Sequence, residues 1–122
     1  MPRRESTMYA KKQYELEDLK TKLLKVFHDG LCPDIKLKET VFYELGETKT
    51  ALLMFEKWYY RPREGTYVTL VILLTEYRGY QGADLIATCG EKGLSNFWGV
   101  EDNLALFGVQ AMKTLGFLSK DS

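Results

Sequence analysis

The sequence predicts an α+β domain in the order α-β-β-β-β-α, with a four-stranded antiparallel meander packed with two helices. Three observations carry this. A stripe of apolar residues at helical spacing runs through 14–28, β-prone stretches separated by short turns fill 35–89, and a second helical stripe begins at Val100.

In the first helix Leu16, Leu19, Leu23, Val26 and Phe27 fall on one face, and Asp18 and Lys22 form an i,i+4 pair on the other. Lys25 and His28 sit in the last turn, where positive charge suits the helix dipole, Gly30 is placed to close the helix in a left-handed conformation, and Pro33 marks the exit. Residues 35–45 then alternate, with Ile35, Leu37, Val41, Tyr43 and Leu45 on one side, as a half-buried strand does. Gly46-Glu47-Thr48-Lys49 reads as a hairpin turn into a strand over 50–60. Arg61–Gly65 turns the chain into a third strand over 66–77, and Gly79-Tyr80-Gln81-Gly82 leads into a shorter one from Ala83 to Cys89. Short connections between successive strands favour antiparallel pairing. After the loop Gly90–Gly99, the residues Val100, Leu104, Phe107, Ala111 and Leu115 mark the last helix, with Glu101 and Asp102 in its first turn and Lys113 near its end.

Charge argues for a first-hairpin register that sets Glu39 opposite Lys57 and Val41 opposite Phe55, because the adjacent register opposes like charges. Extended into the next strand, this register gathers Leu53, Phe55, Val71 and Leu73 on one face, and Leu52, Met54, Trp58, Val68, Leu70, Ile72 and Leu74 on the other. Both faces of the inner strands are therefore apolar and both need cover. Either each helix covers one face, or the two share a face and the opposite one takes another chain or a ligand. The second arrangement makes Leu52, Met54, Trp58, Val68, Leu70 and Ile72 the expected interface of a homodimer or of a complex with another protein.

The chain has 122 residues, which suits one domain, with 17 basic residues cancelling 17 acidic ones. Zero net charge gives no general attraction to nucleic acid or anionic membranes. Leu70-Val71-Ile72-Leu73-Leu74, the longest wholly aliphatic run, is too short to span a bilayer. Residues 1–12 read as a flexible basic arm, 13–118 as the domain and 119–122 as a tail. The start carries no hydrophobic stretch of a secretory signal, and Cys32 and Cys89 make no disulfide framework, so a cytoplasmic location with reduced thiols is expected. One histidine and two scattered cysteines supply no metal site, and no cofactor motif is present.

Three features are candidate sites. Gly90, Lys92, Gly93, Ser95 and Asn96, ahead of a helix start, could hold a small anion, with Trp98 and Trp58 as aromatic walls. Glu91, Glu101 and Asp102 oppose an anion there, and a glycine-rich strand-to-helix connection explains the same residues. The run Trp58-Tyr59-Tyr60 beside Arg61 and Arg63 resembles a base-stacking surface in composition, but alternate residues of a strand point to opposite faces, which disfavours nucleic acid. No catalytic residue set emerges, since His28 is explained by its helix end and Cys89 has no identifiable base. The expected function is a small non-catalytic domain that self-associates or binds a protein partner through an apolar sheet face. The alternative is a small-molecule binder, or an enzyme, using the Gly90–Gly99 loop.

Overall fold

The computed structural model describes residues 3–60, 65–89 and 100–120. The elements in chain order are β1 (Arg3–Lys11), α1 (Leu16–Val26), β2 (Lys36–Leu45), β3 (Thr48–Tyr60), β4 (Gly65–Tyr77), β5 (Tyr80–Cys89), α2 (Val100–Thr114) and β6 (Leu118–Ser119). The α+β class, the antiparallel sheet and the two helices are as expected, but the sheet has six strands rather than four, in the order β2-β3-β4-β5-β1-β6. The extra strands come from the ends of the chain. The stretch read as a basic arm is β1, which pairs antiparallel with β5 along its length, and Leu118–Ser119 of β6 pairs with Met8 and Tyr9. Met8 and Ala10 are the only apolar residues that β1 turns toward the core, so its local pattern is weak, and its partner lies far away in sequence.

The first hairpin's register differs from the charge-based expectation, and its turn explains why. The β2–β3 turn is the two-residue loop Gly46-Glu47, with Gly46 at φ 61°, not a loop running to Lys49. It sets Val41 opposite Leu52 and Glu39 opposite Met54. A bulge at Lys38 then shifts the pairing so that Leu37 faces Phe55. The β4–β5 turn is Arg78-Gly79, both at positive φ, which places Tyr77 opposite Tyr80. Two-residue turns of this kind match the strand twist and fix register more firmly than one cross-strand charge pair.

Between β3 and β4 the register sets Leu53 opposite Ile72 and Phe55 opposite Leu70. A one-residue difference moves every side chain to the other face. The strand residues that share a face are therefore Ala51, Leu53 and Phe55 with Val68, Leu70, Ile72 and Leu74, all essentially buried. Both helices lie on this face. Phe27, at the end of α1, meets the Phe55 ring edge-on at 5.3 Å. Gly108 of α2 brings its backbone so close that a Cβ would stand 2.9 Å from Leu85 and 3.1 Å from Leu70. α2 buries Leu104, Ala105, Ala111 and Met112, leaving Phe107 half-buried; small residues at 105, 108 and 111 let the helix settle onto the strands, so its inner face is rotated from the expected stripe. Gly30 does not close α1 in a left-handed conformation. The helix runs into a wide turn over Phe27–Leu31, with Gly30 at φ 163° and the Cys32 amide donating to the Phe27 carbonyl.

A polar network closes one end of this core. Glu76, at 7% exposure, accepts hydrogen bonds from Lys12 Nζ at 2.9 Å and Gln81 Nε2 at 3.0 Å, and Gln81 also donates to the Tyr14 carbonyl. Burial alone would raise the Glu76 carboxyl, but the hydrogen bonds from Lys12 and Gln81 outweigh it and hold the group below its ordinary 4.5. The network ties β4 and β5 to the connection between β1 and α1.

Removing the carboxylate in Glu76→Ala leaves the Gln81 amide and the Lys12 ammonium short of an acceptor, and the expected loss is about 2 kcal/mol in urea denaturation at neutral pH. A lowered folded-state value means that Glu76 contributes stability above its unfolded value and loses it as pH falls through 4.5 toward the folded one. Glu76→Gln is therefore expected to flatten this part of the acid profile, and the difference between the two denaturation curves against pH measures it.

Candidate interaction face

The second sheet face carries no described helix. Because the helix face takes alternate residues, this face receives Leu52 and Met54 from β3, Val71 and Leu73 from β4, and Ile86 from β5. These five are half-buried by one another, in contact across the ladder as Leu52–Leu73, Met54–Val71 and Val71–Ile86 pairs. Aromatic residues surround them: Trp58 and Tyr67 toward one end, Tyr77 and Tyr80 toward the other, Tyr43 on β2 and Tyr9 on β1, each between 43% and 60% exposed. An antiparallel sheet with a wet face ordinarily turns polar residues to it. This one does so at its margins, through Lys36, Glu39 and Glu56 near the start of β2 and Lys11 at the end of β1. It also does so within the sheet, through Thr50, Thr69 and Thr75, and through Asp84 on β5, which stands opposite Leu73 and accepts from the Thr7 hydroxyl at 3.0 Å.

The expected interface residues thus divide. Leu52, Met54 and Trp58 lie on the open face, whereas Val68, Leu70 and Ile72 lie under the helices at 0% exposure and belong to the core. Val71, Leu73, Tyr67 and Ile86 take their place, a substitution that follows from the one-residue register difference. Of the expected ligand set, Gly90, Lys92, Gly93, Ser95, Asn96 and Trp98 lie outside the described residues. Trp58 is described, and its ring packs edge-on against Tyr67, opposite it on β4, at 4.6 Å. The indole also lies across Gly65, where an added Cβ would be 2.1 Å from Cζ2. An aromatic ring covering a strand glycine in this way shields backbone that would otherwise face water.

On the helix side, beyond the core, a second polar group lies at the β3 end that carries Tyr59. Lys57 Nζ bonds both oxygens of Asp34, at 2.9 and 2.8 Å, and stands 4.8 Å from the Tyr59 ring centre. Tyr59 donates to Asn103 Oδ1 at 2.9 Å. The Lys57 ammonium holds the Asp34 carboxyl below its ordinary value, while burial pushes the Cys32 thiol up to about 11 and raises the Tyr59 hydroxyl. A thiol so raised is almost wholly protonated at neutral pH and is a poor nucleophile. These groups satisfy one another and join the turn after α1 to β3 and α2. His28, the only histidine, makes a 2.9 Å contact through Nε2 with the Ile35 carbonyl. No group of three or more histidine, cysteine or acidic side chains suited to a metal ion occurs among the described residues.

Because Gly65 leaves the space that the Trp58 indole occupies, Gly65→Ala is expected to push the ring outward. Measured in a Trp98→Phe background, emission should shift to the red and near-ultraviolet circular dichroism should weaken. Unchanged spectra would mean that the indole does not rest on Gly65.

No family model matches this chain, and no curated protein matches it. Among solved structures, the solution structure of the 18 kDa protein CC1736 from Caulobacter crescentus is similar over 95% of this chain and 99% of its own, at 11% identity and a TM-score of 0.34. That likeness is too slight to bear on fold or function.

Proposed function

We propose that this chain is a small, non-catalytic interaction module that associates with a second copy of itself through the open face of its sheet. The observation that carries the reading is an apolar centre, Leu52, Met54, Val71, Leu73 and Ile86, ringed by tyrosines and a tryptophan, with Asp84 opposite Leu73 as the carboxylate that borders it. A core depleted in charge and enriched in aromatics is the anatomy of a protein interface. Size supports it as well. Five long strands spaced roughly 4.8 Å apart, over about nine residues at 3.3 Å each, make a face on the order of 700 Å². A stable interface takes about 800 Å² from each partner. Two such faces would stack about 10 Å apart with the helices outside, the geometry of a β-sandwich.

A second copy is favoured over a small ligand because the surface is broad, and over a membrane because the aromatic ring carries no accompanying basic cluster among the described residues. No described helix is long and apolar enough to cross a bilayer. The reading places the module in the cytoplasm, supported by Cys32, a buried free thiol of the kind that a reducing compartment preserves.

Sedimentation velocity in the micromolar range tests the proposal. The wild type is expected to sediment well above the 14.1 kDa of one chain, and Leu73→Lys, which puts a charge at the centre of the face, to lower that mass while keeping the far-ultraviolet spectrum. A wild type that stays at single-chain mass would overturn it.

A further inference from the structure

Independently of the open face, the geometry points to a second contact between copies: the free edge of β2 pairs antiparallel with β2 of another chain. The two sheet edges are treated differently. At the far edge β6 covers Met8 and Tyr9 of β1, and the Lys120 amide donates to the Thr7 carbonyl. At the near edge β2 ends the sheet with nothing described beside it, and its residues are exposed along most of its length. Edges are normally guarded by bulges, lysines or proline. β2 has such guards only at its start, where Lys36, Lys38 and the bulge lie. Beyond the bulge, Glu39-Thr40-Val41-Phe42-Tyr43-Glu44-Leu45 is regular, lysine-free and proline-free, rich in β-branched and aromatic residues, with Leu45 at 78% exposure. An edge row of backbone donors and acceptors is satisfied by one kind of partner, another extended chain.

Symmetry fixes the register. A twofold axis makes opposed residues equivalent in hydrogen-bonding kind, so the axis must pass through a residue and not between two. An axis at Val41 runs into the bulge at Lys38, and an axis at Tyr43 leaves Glu39 and Thr40 unpaired. An axis at Phe42 uses the whole regular segment. It sets Val41 against the second copy's Tyr43, a β-branched and aromatic pair, and opposes no like charges. α1 reaches over β2 with Lys20, whose Nζ stands 5.7 Å from the Phe42 ring centre, but that flexible side chain leaves the outer edge of the strand open. α1 packs on β3 through Phe27 and Phe55, and β3 and its copy would stand about three strand spacings apart, roughly 14 Å, more than the 10 Å or so of a helix diameter.

Cysteine cross-linking tests the inference in a background where the other contact is disabled. In Leu73→Lys, the added change Phe42→Cys is expected to give a disulfide-linked dimer under mild oxidation, since directly opposed strand residues lie within disulfide reach. Peptide mapping should find residue 42 joined to residue 42. Lys36→Cys, beyond the bulge, should not cross-link. No cross-link at 42, or equal cross-linking at 36, would overturn the edge contact. Sedimentation separates the two interfaces without an engineered cysteine. Leu73→Lys at twice the single-chain mass supports the edge, and a further Phe42→Lys should then give single chains. If Leu73→Lys alone is already monomeric while the wild type is dimeric, the edge contact fails and the face contact stands. Equal dimers of both support the edge and remove the face.

Discussion

The structure depends on one packing constraint: two helices share one side of a sheet that is apolar on both. Phe27 on Phe55 and Gly108 against Leu70 and Leu85 hold α1 and α2 side by side on the same layer. Burial of a large aliphatic or aromatic side chain is worth about 1.5–3 kcal/mol, so the dozen or so fully buried residues of that layer dominate the favourable side of folding. The constraint leaves Leu52, Met54, Val71, Leu73 and Ile86 with only their neighbours for cover.

The ends of the helix-side core show how the fold stops growing. At one end Glu76 is buried but fully engaged by Lys12 and Gln81. At the other, Lys57 and Asp34 neutralise each other and Tyr59 reaches Asn103. Arg78, in the β4–β5 turn, grips Glu47 in the β2–β3 turn through two hydrogen bonds, although exposure of both side chains limits what that pair contributes. Specific polar contacts therefore mark three boundaries of the molecule. On the open face the Thr7–Asp84 hydrogen bond borders a centre in which Leu52, Met54, Val71, Leu73 and Ile86 meet through apolar contact.

Much of this was legible in the sequence. The stripe Leu16, Leu19, Leu23, Phe27 identified α1 and its buried face correctly, because helical periodicity is a local signal. The strands between 36 and 89 and the apolar character of both faces were also readable. What was not legible depended on partners distant in sequence or on single-residue register. β1 has two inward apolar residues and becomes a strand only because β5 offers it an edge. The even-numbered residues Val68, Leu70 and Ile72 were grouped with Leu52 and Met54, whereas the β3–β4 register sets them on the opposite side. Of the six residues grouped there, Leu52, Met54 and Trp58 lie on the open face and Val68, Leu70 and Ile72 lie under the helices. On α2, periodicity pointed to Leu104, Phe107 and Ala111; Leu104 and Ala111 are buried, but close packing turns Ala105 and Gly108 inward and leaves Phe107 half-buried, since a helix approaches a crowded sheet best through small side chains.

Methionine oxidation distinguishes the two sheet faces most directly. Met8 and Met112 are buried on the helix side, and Met54 lies on the open one. Under brief peroxide treatment of dilute protein, Met54 should oxidise well ahead of Met8 and Met112, and its rate should fall as protein concentration rises while the other two stay slow throughout. If Met54 is as slow as Met8 in dilute protein, its face is already covered within one chain, and the one-sided packing of the helices is contradicted.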